Sequence, residues 1–148
     1  MLGFLGGTGP EGRGLALRLG LSGEQVIIGS RDAARAEKAA RELNALEHLP
    51  KVYSEVRSGL NEEAARSADM VFITVPFPAQ RALLESLRNH LDGKVVVDTV
   101  VPMTYSKGRF STEAVEEGSA ALQAKAILPG SRVVAAFQTV SAHDLLDL

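Results

Sequence analysis

The sequence predicts an α/β fold: a doubly wound, Rossmann-like parallel sheet of about six strands with helices on both faces. Short, continuously apolar runs alternate with segments whose apolar residues recur at helical spacing, the rhythm of strand and crossover helix. The first apolar run ends in the glycine-rich turn Gly6-Gly7-Thr8-Gly9-Pro10-Glu11-Gly12, which opens the first helix. Continuous rather than alternating apolarity suits strands covered on both faces.

Leu2 to Leu5 is the first strand, and Leu15, Ala16 and Leu19 mark the helix after the glycine turn. Gln25-Val26-Ile27-Ile28-Gly29 is the second strand, bounded by Ser22-Gly23 and Ser30-Arg31. From Asp32 to about Leu46, alanines and Leu43 form a small-residue stripe, with Glu37 and Arg41 as an i,i+4 pair on the solvent side. Lys51 to Val56 is expected as a short third strand, and Asn61 as the N-cap of a brief helix through Ala68. Met70-Val71-Phe72-Ile73-Thr74-Val75 has the strongest strand character and is closed by Pro76 and Pro78. The following helix carries Leu83, Leu84, Leu87 and Leu91 on one face and ends at Asp92-Gly93. Lys94 to Asp98 is the fifth strand. A long irregular stretch is expected from about Val100 to Thr112, then a helix from Glu117 to Ile127 and a strand from Arg132 to Phe137.

Composition bounds the function. With 148 residues, 45% hydrophobic and 23% charged, the chain fits one domain, and it shows no repeat or linker. The absence of cysteine excludes disulfides, thiolate catalysis and thiolate-ligated metals. Acidic and basic residues nearly balance, 18 against 16, so no footprint for nucleic acid is expected. His48, His90 and His143 do not pair at metal-ligand spacing, and no metal site is expected. No apolar run approaches the ~20 residues of a membrane span, and the amino terminus lacks the form of a secretory signal. A cytoplasmic protein without a membrane partner is the expectation. Eleven arginines against five lysines is a bias met in some heat-stable proteins.

Gly7-Thr8-Gly9-Pro10-Glu11-Gly12 fits G-x-G-x-x-G in the context that motif requires, between a first strand and a first helix. Gly7 is expected to permit the tight turn, Gly9 to let backbone approach a pyrophosphate, and Gly12 to let helix and strand pack closely. The unpaired N–H groups of the helix start then face the anion. An NAD site would place an acidic residue at the end of the second strand, about 20 residues on; this chain has Ser30-Arg31, with Arg35 one helical turn beyond. Like charges at i,i+4 disfavour a helix unless an anion sits between them, and a 2′-phosphate supplies one. Hydrogen bonds to charged groups are worth about 1.5–3 kcal/mol each, so two such contacts favour NADP over NAD by about a hundredfold or more. The alternative is a solvated basic face whose charge is absorbed by Asp32 and Glu37.

The nicotinamide of such a ligand reaches the carboxyl ends of the later strands, here Val75-Pro76-Phe77-Pro78, Thr99-Val100-Val101-Pro102-Met103 and Gln138-Thr139-Val140-Ser141-Ala142. All are apolar or uncharged. Arg81, one turn after Phe77, points either at the cofactor or at solvent. No Ser/His/Asp set, His-Glu pair or paired carboxylates are discernible, so no catalytic residue is assigned. Hydride transfer between two stacked rings needs close, dry positioning and little acid–base help.

With these segments in hand, the chain closely resembles, essentially end to end, the NADPH-dependent coenzyme F-420 reductases. The resemblance rests on Gly6 to Gly12, Ser30-Arg31 with Arg35, Val75-Pro76-Phe77, Val101-Pro102 and Thr139-Val140-Ser141-Ala142. It implies an oxidoreductase that moves hydride between NADP(H) and the deazaflavin coenzyme F-420, a small-molecule redox partner. The cofactor contacts it implies are Gly7, Thr8, Gly9, Pro10, Glu11, Gly12, Ser30, Arg31, Arg35, Pro76, Phe77, Arg81, Val101, Met103, Thr139, Val140 and Ala142. Where some relatives have histidine, this chain has Gln138, so no imidazole role carries over. Residues 1–148 are expected to form the NADP-binding domain, and the family's carboxyl-terminal deazaflavin and homodimer part is expected to be absent from them. Two alternatives stay open: a non-catalytic NADP-binding module, and an NADPH-dependent reductase of a small imine or carbonyl substrate.

Overall fold

The computed structural model describes residues 1–148. Six strands form one all-parallel sheet: β1 (Leu2–Leu5), β2 (Val26–Ser30), β3 (Arg57–Leu60), β4 (Met70–Ile73), β5 (Val95–Asp98) and β8 (Arg132–Ala135). Their order is β3-β2-β1-β4-β5-β8, so the chain winds outward from β1 first one way and then the other. The doubly wound expectation holds. The register runs Phe4↔Ile28 on one side of β1 and Phe4↔Phe72 on the other.

Side-chain alternation divides each central strand between two cores. Phe4, Val26, Ile28, Phe72 and Val97 face α1 (Pro10–Leu21) and α2 (Ala33–Asn44), and Phe4 stacks on Phe72 with ring centroids 4.7 Å apart. Leu5, Ile27, Val71, Ile73 and Val96 face α3 (Asn61–Ser67), α4 (Phe77–Leu91) and α5 (Ala120–Ile127). Layers on both faces explain why the strands read as unbroken apolar runs. A short α6 (Ala142–Leu146) lies against α1, where Arg18 donates to the carbonyls of Asp144 at 3.0 Å and Leu145 at 2.8 Å.

Four expectations are corrected. The third strand is Arg57–Leu60, not Lys51 to Val56. The Asn44 carboxamide takes both backbone groups of Val56 at 2.9 Å, which leaves that residue nothing to offer a sheet ladder. The stretch expected to be irregular holds an antiparallel hairpin, β6 (Met103–Ser106) and β7 (Arg109–Thr112). Its two loop residues, Lys107 (φ 50°) and Gly108 (φ 76°), both take left-handed backbone, the requirement of a two-residue hairpin turn. The last sheet strand stops at Ala135, two residues early, because Phe137 turns the chain with φ 71°. α5 starts at Ala120 rather than Glu117, with Ser119 as N-cap accepting from the Leu122 N–H. No helix is long and apolar enough to cross a membrane.

Candidate nucleotide-binding cleft

The turn between β1 and α1 is shaped by what its glycines lack. Gly6 carries the left-handed backbone, φ 70°, and a Cβ there would lie 2.2 Å from Val75 Cγ1. The tight turn therefore belongs to Gly6 rather than Gly7. A Cβ on Gly12 would lie 2.5 Å from the Gly7 Cα and 2.8 Å from Thr74 Oγ1, so α1 packs on the turn as expected. Gly9 differs: a Cβ there meets nothing within 4 Å. The space over Gly9 is open, the room a phosphate group needs to reach the backbone.

Gly9 is also the N-cap of α1, and no side chain caps this helix; Pro10 occupies the first turn with no N–H of its own. The remaining N–H groups of that turn lack side-chain partners, and the positive end of the helix dipole adds to them. Both features suit an anion.

At the end of β2 the charges are distributed in a way that spacing alone left open. The Asp32 carboxylate is spent as the N-cap of α2, accepting from Ala34 N at 2.9 Å and Arg35 N at 3.3 Å. Glu37 is held by Arg41. Neither neutralises Arg31 or Arg35, which are exposed and make no ion pair in the protein. Ser30 is nearly buried; its Oγ accepts from Asp32 N at 3.2 Å, which leaves the hydroxyl proton free to donate.

These pieces converge on one open cleft of about 1030 Å³ at the carboxyl ends of β1, β2 and β4, where the strand order reverses. Of the residues expected at a cofactor site, Thr8, Gly9, Ser30, Arg31, Arg35 and Pro76 line it. Gly7 and Gly12 lie beneath it as packing residues. Gly6, Val75 and Pro78, named only within the motifs, line it too, and the sequence reading missed Asn61, Thr74 and the wall that α4 contributes through Ala79, Ala82 and Leu83. Asn61 is not the N-cap of α3, a position held by Leu60; it is the first helical residue, and its Oδ1 accepts from Gly6 N at 3.0 Å. One sequence signal for this was Gly29, a glycine inside a strand, which marks close approach by a neighbour.

The other expected residues lie outside that cleft. Phe77 packs against the core between the sheet and α4. Pro10 is exposed, and Glu11 is half-buried on the first turn of α1 with one carboxylate oxygen sealed away unpaired, so burial pushes its carboxyl above the ordinary range. Arg81 points away from the cofactor cleft, on the exposed side of α4. It is bound to Glu117 at 2.6 Å and lines a separate hollow of about 320 Å³ between α4 and α5. The backbone of Glu117 and the Arg81 guanidinium hold that carboxyl below its usual range. Val101, Met103, Thr139 and Val140 are exposed around the ends of β5 and β8, and Ala142 abuts α1 beside Gly14. The Gln138 amide donates to the Asp98 carbonyl at 2.7 Å and so ties the segment after β8 to the end of β5.

The chain has recognisable relatives. Residues 1–102 match the family model described as NADP oxidoreductase, coenzyme F420-dependent. An F420-dependent NADP reductase of Methanothermobacter marburgensis is 45% identical over 97% of this chain and 65% of its own length. Among solved structures, a protein from Arthrobacter sp. FB24 described as an F420-dependent NADP-reductase superposes with a TM-score of 0.75 at 27% identity, covering 96% of this chain and 64% of that one. A pyrroline-5-carboxylate reductase from Coxiella burnetii shares the fold, with a TM-score of 0.61 at 16% identity over 90% of this chain and 42% of its own. The chain thus spans just under two thirds of the length of the first two. The glycine turn, the basic pair after β2 and the match over residues 1–102 converge: the chain belongs to the coenzyme F420-dependent NADP oxidoreductase family.

Proposed function

We propose that residues 1–148 form the NADP(H)-binding domain of an oxidoreductase that transfers hydride between NADP(H) and the deazaflavin coenzyme F-420. The observation that carries this reading is the unpaired charge of Arg31 and Arg35 beside Ser30, in the same cleft as the uncapped first turn of α1. Two exposed cations without protein counter-ions flank the start of α2, Arg31 just before its N-cap Asp32 and Arg35 in its first turn, and a 2′-phosphate supplies the anion that both lack. The uncapped turn with open space above Gly9 suits the pyrophosphate. The names of the relatives supply the second redox partner.

NADPH, when bound, supplies the hydride at its nicotinamide. The chain's own contribution is to hold and orient. Thr8, Gly9 and the first turn of α1 anchor the phosphates, and Ser30, Arg31 and Arg35 select the 2′-phosphorylated nucleotide. Pro76, Val101, Met103, Thr139 and Val140, exposed after the carboxyl ends of β4, β5 and β8, offer an uncharged surface on which the ring is oriented, and Ala142 follows at the start of α6. The hydride carries its own electron pair, so its transfer draws on no acid or base among these side chains, and the proton that accompanies reduction of the deazaflavin comes from solvent.

The test is direct. The protein mixed with NADPH and oxidised F-420 should bleach the deazaflavin absorbance at neutral pH. NADPH binding without bleaching overturns hydride transfer and leaves an NADP-binding module; no NADPH binding overturns the nucleotide reading itself.

A further inference from the structure

The side chain of Asn61 has an unusual division of labour. It is 7% exposed, sits at the junction of β3 and α3, and lines the cleft with Gly6 and Ser30. Its Oδ1 accepts from the Gly6 N–H at 3.0 Å, across 55 residues of chain. An N–H must meet the oxygen rather than the nitrogen of the carboxamide, so this bond also sets which way the amide faces. Its Nδ2 has no protein acceptor, yet it is not among the sealed, unpaired polar atoms of the structure. The two remaining N–H donors therefore open onto the cleft.

The reach of Asn61 depends on Gly29. A Cβ on that β2 residue would lie 2.9 Å from Asn61 Oδ1 and 3.1 Å from its Cα, so only glycine lets the carboxamide pass over β2 to the turn after β1. Gly6, in turn, is the residue with the left-handed backbone that redirects the chain into the phosphate-binding turn. A glycine is free to adopt other backbone conformations, so such a turn stays in one only where its surroundings hold it. Thr74 Oγ1 binds the Leu5 carbonyl at 3.0 Å from the other side, so the residue before the turn and its first glycine are both tethered.

The structure assigns Asn61 a double role toward the dinucleotide of the proposed function, on which this inference rests. Through Oδ1 it is a positioning residue for the phosphate-binding turn; through Nδ2 it donates to phosphate or ribose oxygens of the adenosine half. It stands between the β1 turn and the end of β2, where the pyrophosphate and the 2′-phosphate would each be held. Amide donors suit this place because the ligand there carries acceptor oxygens and no donor hydrogens of its own beyond the ribose hydroxyls.

Asn61→Asp separates the two roles, because it keeps an acceptor for Gly6 N and replaces the donors by an anionic oxygen. Asn61→Ala removes both. Dissociation constants for NADPH and for adenosine 2′,5′-bisphosphate, with thermal melting of each protein, form the experiment. Asn61→Asp should melt with the wild type and bind both ligands about ten- to hundredfold more weakly at pH 8, the worth of one donor to a charged group. Its affinity relative to wild type should recover as the pH falls and the new carboxyl regains a proton. The ratio cancels titration of the ligand phosphate, and of Glu62 and His90, which lie 3.5 Å apart beside this cleft and are present in both proteins, as are Arg31 and Arg35. Asn61→Ala should lose at least as much for either ligand. Wild-type affinity in Asn61→Asp at pH 8 overturns the donor role, and wild-type affinity in Asn61→Ala overturns the assignment altogether. A wild type that binds no NADPH overturns the nucleotide reading, and the inference with it.

Discussion

The carboxamide of Gln80 on α4 donates to the carboxylate of Asp98 at the end of β5, with Nε2 3.3 Å from Oδ2, and to the carbonyl of Ala120 at 2.8 Å. Both side chains are sealed from water. The second Asp98 oxygen accepts from Val100 N at 2.8 Å. One polar node thus joins α4, β5 and α5 at the point where the chain leaves the sheet for the hairpin. Burial pushes the Asp98 carboxyl up, against the opposing pull of the Val100 N–H and the Gln80 amide.

That direction determines the sign of a pH effect. A carboxyl that holds its proton more tightly folded than unfolded contributes stability that is full below the ordinary aspartate value of 3.8 and lost as pH rises through the raised one. Asp98→Asn abolishes this titration. Its unfolding free energy should fall less steeply than that of the wild type from about pH 4 upward, in urea titrations at a series of pH values. The variant should also lose about 1–3 kcal/mol overall, because one amide donor must then face either Gln80 Nε2 or Val100 N. Parallel pH profiles in the two proteins would locate the titration elsewhere.

Arg31 and Arg35 make a prediction about selectivity. Arg31→Ala should weaken NADPH by about ten- to hundredfold while leaving NADH nearly unchanged, and Arg35→Ala should act in the same direction. Fluorescence titration with both nucleotides reads this out. Equal losses for NADPH and NADH would show that the pair does not hold the 2′-phosphate.

Two glycines of the turn should respond oppositely to the same methyl group. Gly12→Ala drives a Cβ to 2.5 Å from the Gly7 backbone, so it should cost about 1–3 kcal/mol of stability, seen as a lower melting temperature. Gly9→Ala meets no protein atom within 4 Å and has φ −77°, which alanine accepts, so it should melt like the wild type. Its methyl would occupy the space assigned to the pyrophosphate, and NADPH affinity should drop steeply. Full NADPH binding by Gly9→Ala would move the phosphates away from this turn.

How much of this was legible beforehand depended on the range of the cause. The passage from β1 through the glycine turn to α1 could be read directly, because apolar run, turn glycines and Pro10 at the helix start act within a dozen residues. The hairpin was missed although its signal was local: Lys107-Gly108 is a weaker turn marker than Asn-Gly, and four-residue strands with exposed faces leave little apolar pattern. The third strand was misplaced because Val56 looks like a strand residue until Asn44 is seen to take its backbone groups.

By itself the sequence determined the doubly wound class, the identity of the phosphate-binding turn and the presence of a basic pair where an acidic residue would serve NAD. These follow from periodicity, backbone freedom and charge over short spans, which any chain carries in its order. Only the tertiary structure decided that Asp32 and Glu37 are spent elsewhere and leave Arg31 and Arg35 unpaired, that Arg81 belongs to Glu117, and that Asn61 holds Gly6. Each of these is a choice among several partners of suitable chemistry. Packing makes that choice, by bringing some polar groups within hydrogen-bond reach and keeping others apart.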